Sequence, residues 1–222
     1  MENLDTTVEN VGNFVICLYA LSTLVSIIFY NKYKESALRY FPIVLFLTFA
    51  LEMSGYWLYE IFGYNALFYN IYNALFFLYF YYVFWSFIKN KSYKRWVIYG
   101  VVFFLIANLL NPIFNPHPYY ITPQLLVYIV GGCLLIFCII LYFVEILSTS
   151  MVLWVKTDLL FWVSIGLLLF YVGYMPIKFT RTYFAAERDM FNTLKIVQWL
   201  LIGIMHSCFI IGFIWTKKRL RD

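Results

Sequence analysis

Seven apolar stretches, each long enough to cross a bilayer, take up most of this 222-residue chain. A helix rises about 1.5 Å per residue, so roughly 20 apolar residues span a hydrocarbon core of about 30 Å. Lipid offers no water to backbone N–H and C=O groups, so each stretch must satisfy its own backbone and is expected to be helical. The stretches fall at about 11–30, 38–62, 65–88, 96–114, 120–147, 158–177 and 194–215. From Trp96 no Asp, Glu, Lys or Arg appears until Glu145, which is too long a run for one crossing. The segment Asn111-Pro-Ile-Phe-Asn-Pro-His-Pro118 divides it, because its three prolines lack N–H donors and force turns. The expected fold class is all-α: a polytopic membrane protein forming a single seven-transmembrane-helix bundle over residues 1–222.

Composition agrees. Hydrophobic residues make up 64% of the chain and charged residues 12%, against roughly 45–50% and 25% in soluble domains. The net charge of +5 does not read as nucleic-acid affinity, because most basic residues sit in short loops. Cys17, Cys133, Cys138 and Cys208 all lie within apolar stretches without metal-like spacing, and read as packing residues.

The basic residues are one-sided. Lys32, Lys34, Arg39, Lys89, Lys91, Lys94, Arg95, Lys156, Lys217, Lys218, Arg219 and Arg221 fall on one face, whereas Lys178, Arg181, Arg188 and Lys195 fall on the other. The positive-inside rule then predicts an outside N-terminus and a cytoplasmic C-terminus. The acidic start, with Glu2, Asp5 and Glu9 and no basic n-region, predicts that the first span is an uncleaved anchor. The expected location is the plasma (inner) membrane, multi-pass. Short loops predict that sequential helices pack antiparallel.

Ionisable groups at membrane depth are costly and point to function by default. Glu52, near the middle of span 2, and His206, near the middle of span 7, are the clearest cases. Each also has a structural reading: a protonated or hydrogen-bonded acid, and a packed, satisfied imidazole. Asn70, Asn73, Asn108, Asn111, Gln124 and Gln198 gather in the outer halves of their spans. Glu52, Tyr56, Tyr59 and Glu60 recur on one face of span 2, and Lys195, Gln198, Ile202 and His206 follow one stripe of span 7. This one-sided polarity suggests an outward-facing cavity with Glu52, Tyr56, Asn70, Asn73, Gln198 and His206 as ligand-binding candidates. Interhelical hydrogen bonding is the alternative, at about 0.6–2 kcal/mol per bond.

Several chemistries lack their residues. Two histidines, His117 and His206, fall short of the three ligands of a zinc hydrolase. No HExxH or GxSxG motif occurs. Lys195 lies eleven positions before His206, about 16 Å along the axis, too shallow for a retinal Schiff base. No cofactor, metal ligand or catalytic residue is therefore expected. Two alternatives stay open. An acid–base pair of Glu52 and His206 would suit a membrane-embedded lipid-modifying enzyme. Seven spans with an outside N-terminus also match SWEET-type sugar transporters, whose Pro-Gln signature occurs once, at Pro123-Gln124.

The segments Phe68-Tyr-Asn-Ile-Tyr-Asn73, Asp158-Leu-Leu-Phe-Trp-Val-Ser-Ile-Gly-Leu-Leu-Leu169 and Ile204-Met-His-Ser-Cys208, together with Glu52 in Leu51-Glu-Met-Ser-Gly-Tyr56, carry a resemblance. Nearly the whole chain resembles a group of small seven-span proteins of Bacteroidota-type bacteria, similar to free-standing versions of the membrane sensor modules that precede histidine kinases. Many of that group have a second acid in span 3, where this chain has Ala74-Leu75-Phe76. The resemblance implies a receptor-like, sensory module. The expected partners are the bilayer, a small-molecule or lipid ligand, and a cytoplasmic or membrane signalling protein such as a histidine kinase, with no nucleic acid.

Overall fold

A computed structural model describes residues 2–114, 118–183 and 187–217. The fold is all-α. Seven long helices run α1 (Glu2–Ile28), α2 (Phe41–Phe62), α3 (Ala66–Phe87), α4 (Lys91–Phe114), α5 (Leu125–Leu147), α6 (Leu159–Tyr183) and α7 (Arg188–Trp215). Short 3₁₀ segments at Tyr30–Lys32, Ala37–Tyr40 and Ser150–Thr157 join some of them. All seven helices are long and apolar enough to cross a membrane, which makes this a multi-pass membrane protein. The side chains turned outward fit that solvent: Phe14, Ile28, Trp57, Ile61, Leu109, Ile113 and Leu147 are each more than 60% exposed, a surface that water would not tolerate but acyl chains cover.

The ends differ from the apolar runs in instructive ways. α4 starts at Lys91 rather than near Trp96, because Lys91, Lys94 and Arg95 can lie along the membrane boundary with their stems on apolar surface. The Lys94 ammonium sits 4.9 Å from the Trp85 ring centroid. The Asn90 side chain caps that start, accepting from the backbone N–H groups of Ser92 (2.8 Å) and Tyr93 (3.3 Å). At its other end α4 carries Pro112 within its last turn and stops at Phe114. That end agrees with the run expected to close at 114, within the segment that the three prolines divide. α5 starts only at Leu125, after a turn in which the Ile121 N–H donates to the Pro118 carbonyl. α6 continues through Pro176 to Tyr183, and α7 begins at Arg188, well before the apolar run at 194.

The chain packs as two compact units, residues 1–49 with 154–222, and residues 50–153. In the first, α7 is the common partner of α6 and α1. α6 and α7 are sequential, as short loops predict. α1 and α7 are far apart in sequence and run parallel: Gly12 meets Trp199, Ser22 meets His206, and Lys32 meets the end of α7. Close approach of α6 and α7 needs a small residue at Gly166, where a Cβ would lie 2.9 Å from the Met205 carbonyl oxygen. Phe41, at the start of α2, completes this core against Phe209 and Phe213.

The second unit is built on α3, α4 and α5, with α3 packing on both of the others. Phe77, Phe80, Tyr81, Phe84 and Phe104 are almost completely buried there. The aromatic run 76–82 therefore fills the interior while its Tyr82 faces out. The Tyr81 hydroxyl donates to the Gly131 carbonyl at 2.7 Å, which gives a buried polar tip its partner. At the far end of this unit the buried Glu145 accepts from the backbone N–H groups of Lys89 (2.7 Å) and Asn90 (3.4 Å), fastening the α3–α4 connection to α5.

Candidate functional site

The seam between α1 and α7 collects the polar group with the least ordinary environment. On α1, Val11, Val15, Leu18 and Ser22 follow one another at helical spacing, and on α7 so do Trp199, Gly203 and His206. Because the helices are parallel, these stripes face each other turn by turn. At Gly12 an added Cβ would lie 2.6 Å from Trp199 Cη2, so only glycine admits the indole there.

His206 is 1% exposed, and its Nδ1 lies 2.7 Å from Ser22 Oγ. The Tyr19 ring meets the imidazole edge-on at 4.5 Å between centroids, and Phe209 covers it at 5.3 Å. Ser22 has one hydrogen and two candidate acceptors, since the Tyr19 carbonyl oxygen lies 3.0 Å from its Oγ. With that hydrogen on the carbonyl, Nδ1 carries the imidazole proton and Nε2 is a bare lone pair. With it on Nδ1, Nε2 carries an N–H that lacks an acceptor. In both arrangements Nε2 is buried with no hydrogen-bond partner among the described residues. A buried, unsatisfied polar atom costs about 1–3 kcal/mol and calls for an explanation.

Beside this pair the seam opens. A groove of about 340 Å³ runs between α1 and α7, lined by Val11, Val15, Leu18, Trp199, Gly203 and Ser207 among others. On α1 the Ser22–His206 pair follows one turn after the last lining residue, Leu18. The groove's walls are apolar, and its Ser207 hydroxyl already donates to the Gly203 carbonyl at 2.8 Å. At the end where both helices begin, the Lys195 ammonium lies over the Trp199 ring at 4.7 Å.

The six residues expected from sequence fall in both units: Gln198 and His206 in the first, Glu52, Tyr56, Asn70 and Asn73 in the second. Gln198 Oε1 accepts a short hydrogen bond from Arg181 Nη1, and the Arg181 guanidinium lies 4.5 Å over the Phe191 ring. Asn70 is buried and clasps the 118–124 turn. Its Nδ2 donates to the carbonyls of Tyr119 (2.7 Å) and Thr122 (2.9 Å), and its Oδ1 accepts from the Gln124 backbone N–H (3.0 Å). Asn111 extends the clasp by donating to Gln124 Oε1 at 2.5 Å. Glu52 lies on an exposed side of α2, next to Leu51, whose carbonyl accepts from the Tyr69 hydroxyl at 3.3 Å. Asn73 is half-buried one turn on from Asn70. The Tyr56 side chain, His117 and the basic tail residues Lys218, Arg219 and Arg221 lie outside the described residues.

Ser22, the partner of His206, is absent from the sequence-level candidates. Its signal is faint: Ser22, Thr23 and Ser26 are buried hydroxyls in an otherwise apolar stretch of α1, and each has a carbonyl of its own helix within bonding distance. From the sequence Lys32 reads only as a loop cation. Its Nζ donates to the carbonyls of Phe213 (3.2 Å) and Ile214 (2.8 Å), a cation on the negative end of α7. No protein-family model, curated protein or solved structure matches this chain.

Proposed function

We propose that this chain is a receptor-like, sensory membrane module, placed in the plasma (inner) membrane with its N-terminus outside and its C-terminus in the cytoplasm. The observation that carries the reading is the α1/α7 seam: an apolar groove beside a buried histidine that lacks one hydrogen bond. A packed, fully bonded seam has one best arrangement. This one leaves Nε2 unsatisfied, so a small slide or rotation of α7 that finds Nε2 a partner competes with the arrangement described, and a ligand in the groove biases the choice.

The other end of α7 is where such a shift would be read. Lys32 holds its last carbonyls, and the Lys217 N–H donates to the Thr157 carbonyl at 3.3 Å, so movement of α7 pulls on both neighbouring connections. These basic inner segments would present the signal to a separate chain, such as a histidine kinase. The resemblance carried by Phe68–Asn73, Asp158–Leu169 and Ile204–Cys208 points the same way.

Native mass spectrometry of the gently extracted protein, paired with solute-flux assays in liposomes, tests this. The expected outcome is a retained ligand with no net flux. Flux of a solute across the vesicle wall would overturn the reading in favour of a carrier, and turnover of a bound lipid would overturn it in favour of an enzyme.

A further inference from the structure

We propose that the end of the first unit where α6 stops and α7 begins binds a phosphomonoester, held by Arg181 and Lys195 and positioned by Gln198. The binding itself stands without the receptor-like reading; only its use as a signal rests on that reading.

Phe191, Lys195 and Gln198 recur at one-turn spacing on a single face of α7. Arg181, in the last turn of α6, lies along that face. Its guanidinium covers the Phe191 ring at 4.5 Å, and its Nη1 donates to Gln198 Oε1. Lys195 stands between those two contacts in the stripe, and its ammonium rests on the ring of Trp199, the residue after Gln198, at 4.7 Å. Two cations from different helices thus converge on neighbouring residues of one turn. Arg181, Phe191, Lys195 and Gln198 are all half-buried.

The chain does not answer these charges. A guanidinium has five N–H donors, and the partner Arg181 has for one of them is a neutral amide. Among the described residues no carboxylate pairs with Arg181 or Lys195. Asp189 is two positions before Phe191 and so faces another side of α7, and Glu187 is exposed ahead of the helix. Both cations lie within the spans Leu159–Arg181 and Asp189–Trp215, where an unpaired charge is costly. Topology does not account for them either, because they fall on the face that the positive-inside rule predicts to be poor in basic residues.

An oxyanion complements both. Gln198 and Phe191 fix the guanidinium plane, which leaves its remaining edge donors to grip two oxygens, and the ammonium adds a compact second charge. A carboxylate has two oxygens and a single charge, which the fork alone satisfies. A phosphomonoester has three terminal oxygens and about two negative charges, so it matches fork and ammonium together. It reaches the site either from the bilayer, as the head group of phosphatidic acid, or from the water, as a soluble ester.

The experiment places the full chain in nanodiscs of equal parts phosphatidylcholine, phosphatidylglycerol and phosphatidic acid, and counts the lipids retained on release into native mass spectrometry. In nanodiscs of phosphatidylcholine alone, glycerol phosphate is titrated calorimetrically. Retained phosphatidic acid places the source in the bilayer, and binding of glycerol phosphate without it places the source in the water. Gln198→Glu keeps an acceptor for Arg181 but supplies the missing carboxylate. It should unfold as wild type does while phosphomonoester binding falls about tenfold or more. Lys195→Gln should weaken binding to a similar extent, and Lys156→Gln, which removes a charge ahead of the opposite end of α6, should leave it unchanged. Binding of neither probe, equal retention of phosphatidylglycerol, binding undiminished in Gln198→Glu or Lys195→Gln, or a loss in Lys156→Gln as large as in Lys195→Gln would each overturn the proposal. The two readings fail separately: phosphomonoester binding together with solute flux supports this site and overturns the receptor, while a different retained ligand with neither flux nor phosphomonoester binding does the reverse.

Discussion

Asn70 and Gln124 hold each other across fifty-four positions of sequence: the Asn70 side-chain oxygen accepts the Gln124 backbone N–H at 3.0 Å, one residue before α5 begins. The same amide donates twice, to the carbonyls of Tyr119 and Thr122. One side chain thus satisfies a helix's first free donor and two carbonyls of the turn that precedes it.

Substitution should separate the donors from the acceptor. Asn70→Ala removes all three bonds and should destabilise the protein by about 2–5 kcal/mol, at roughly 0.6–1.7 kcal/mol per bond in a membrane setting. Asn70→Asp keeps an acceptor but turns a carboxylate toward two carbonyl oxygens, so it should be worse than Ala. Thermal unfolding in detergent micelles gives the order directly. If Asp proves as stable as wild type, the amide does not hold the turn in this way.

Glu145 makes a second test at the opposite end of that unit. Its carboxylate accepts from the Lys89 and Asn90 N–H groups, the latter at the cap of α4. Hydrogen bonds to a charged group contribute about 1.5–3 kcal/mol, so Glu145→Ala should loosen the 88–91 connection and Glu145→Gln, which keeps one acceptor, should loosen it less. Tryptic cleavage after Lys89 and Lys91 in folded protein measures the opening. Cleavage should be fastest in Ala, intermediate in Gln and slowest in wild type. Equal rates in all three would show that the carboxylate is not what closes the loop.

Glu52 is a carboxyl group on an exposed side of a membrane-spanning helix. Within a bilayer an ionisable side chain is expensive unless it has a partner. Glu52→Leu should therefore leave folding in lipid unchanged or stabilise it by roughly 1–3 kcal/mol. Equilibrium unfolding in bicelles checks this. A loss of stability of similar size would mean that Glu52 bonds within the fold, as the structural reading of that acid holds.

How far this was legible from sequence depends on the kind of interaction. The spans are visible because lipid demands long apolar runs, and α3 (Ala66–Phe87) lies within one residue of its run at each end. The early start of α4 at Lys91 and the reach of α6 to Tyr183 are hidden because long basic side chains and a tolerated Pro176 let a helix outlast its apolar run. Polar candidates are visible as residue types, but their partners are not. Asn70 bonds to backbone carbonyls of Tyr119 and Thr122, which leave no side-chain signature, and His206 meets a serine 184 positions away. The parallel pairing of α1 with α7 has the same cause: it rests on Gly12 fitting Trp199, a match of shapes rather than a periodicity.

The histidine offers the sharpest separation of stability from function. His206→Leu removes the unsatisfied Nε2 while filling similar space, and Ser22 keeps the Tyr19 carbonyl as its acceptor. The usual cost of removing one partner comes from stranding the other, and here Ser22 is not stranded because its hydroxyl donates to the Tyr19 carbonyl. The variant should therefore unfold at the same denaturant concentration as wild type or a higher one, by up to about 1–2 kcal/mol, yet lose any ligand-dependent change in the seam. Spin labels on Asn10 and Asn192, at the ends where α1 and α7 begin, report that change as a distance. A satisfied structural histidine predicts the opposite pattern: His206→Leu destabilised, and wild type with a single distance whether or not lipid is supplied. A site held away from its most stable packing to respond to a ligand predicts a firmer, silent protein.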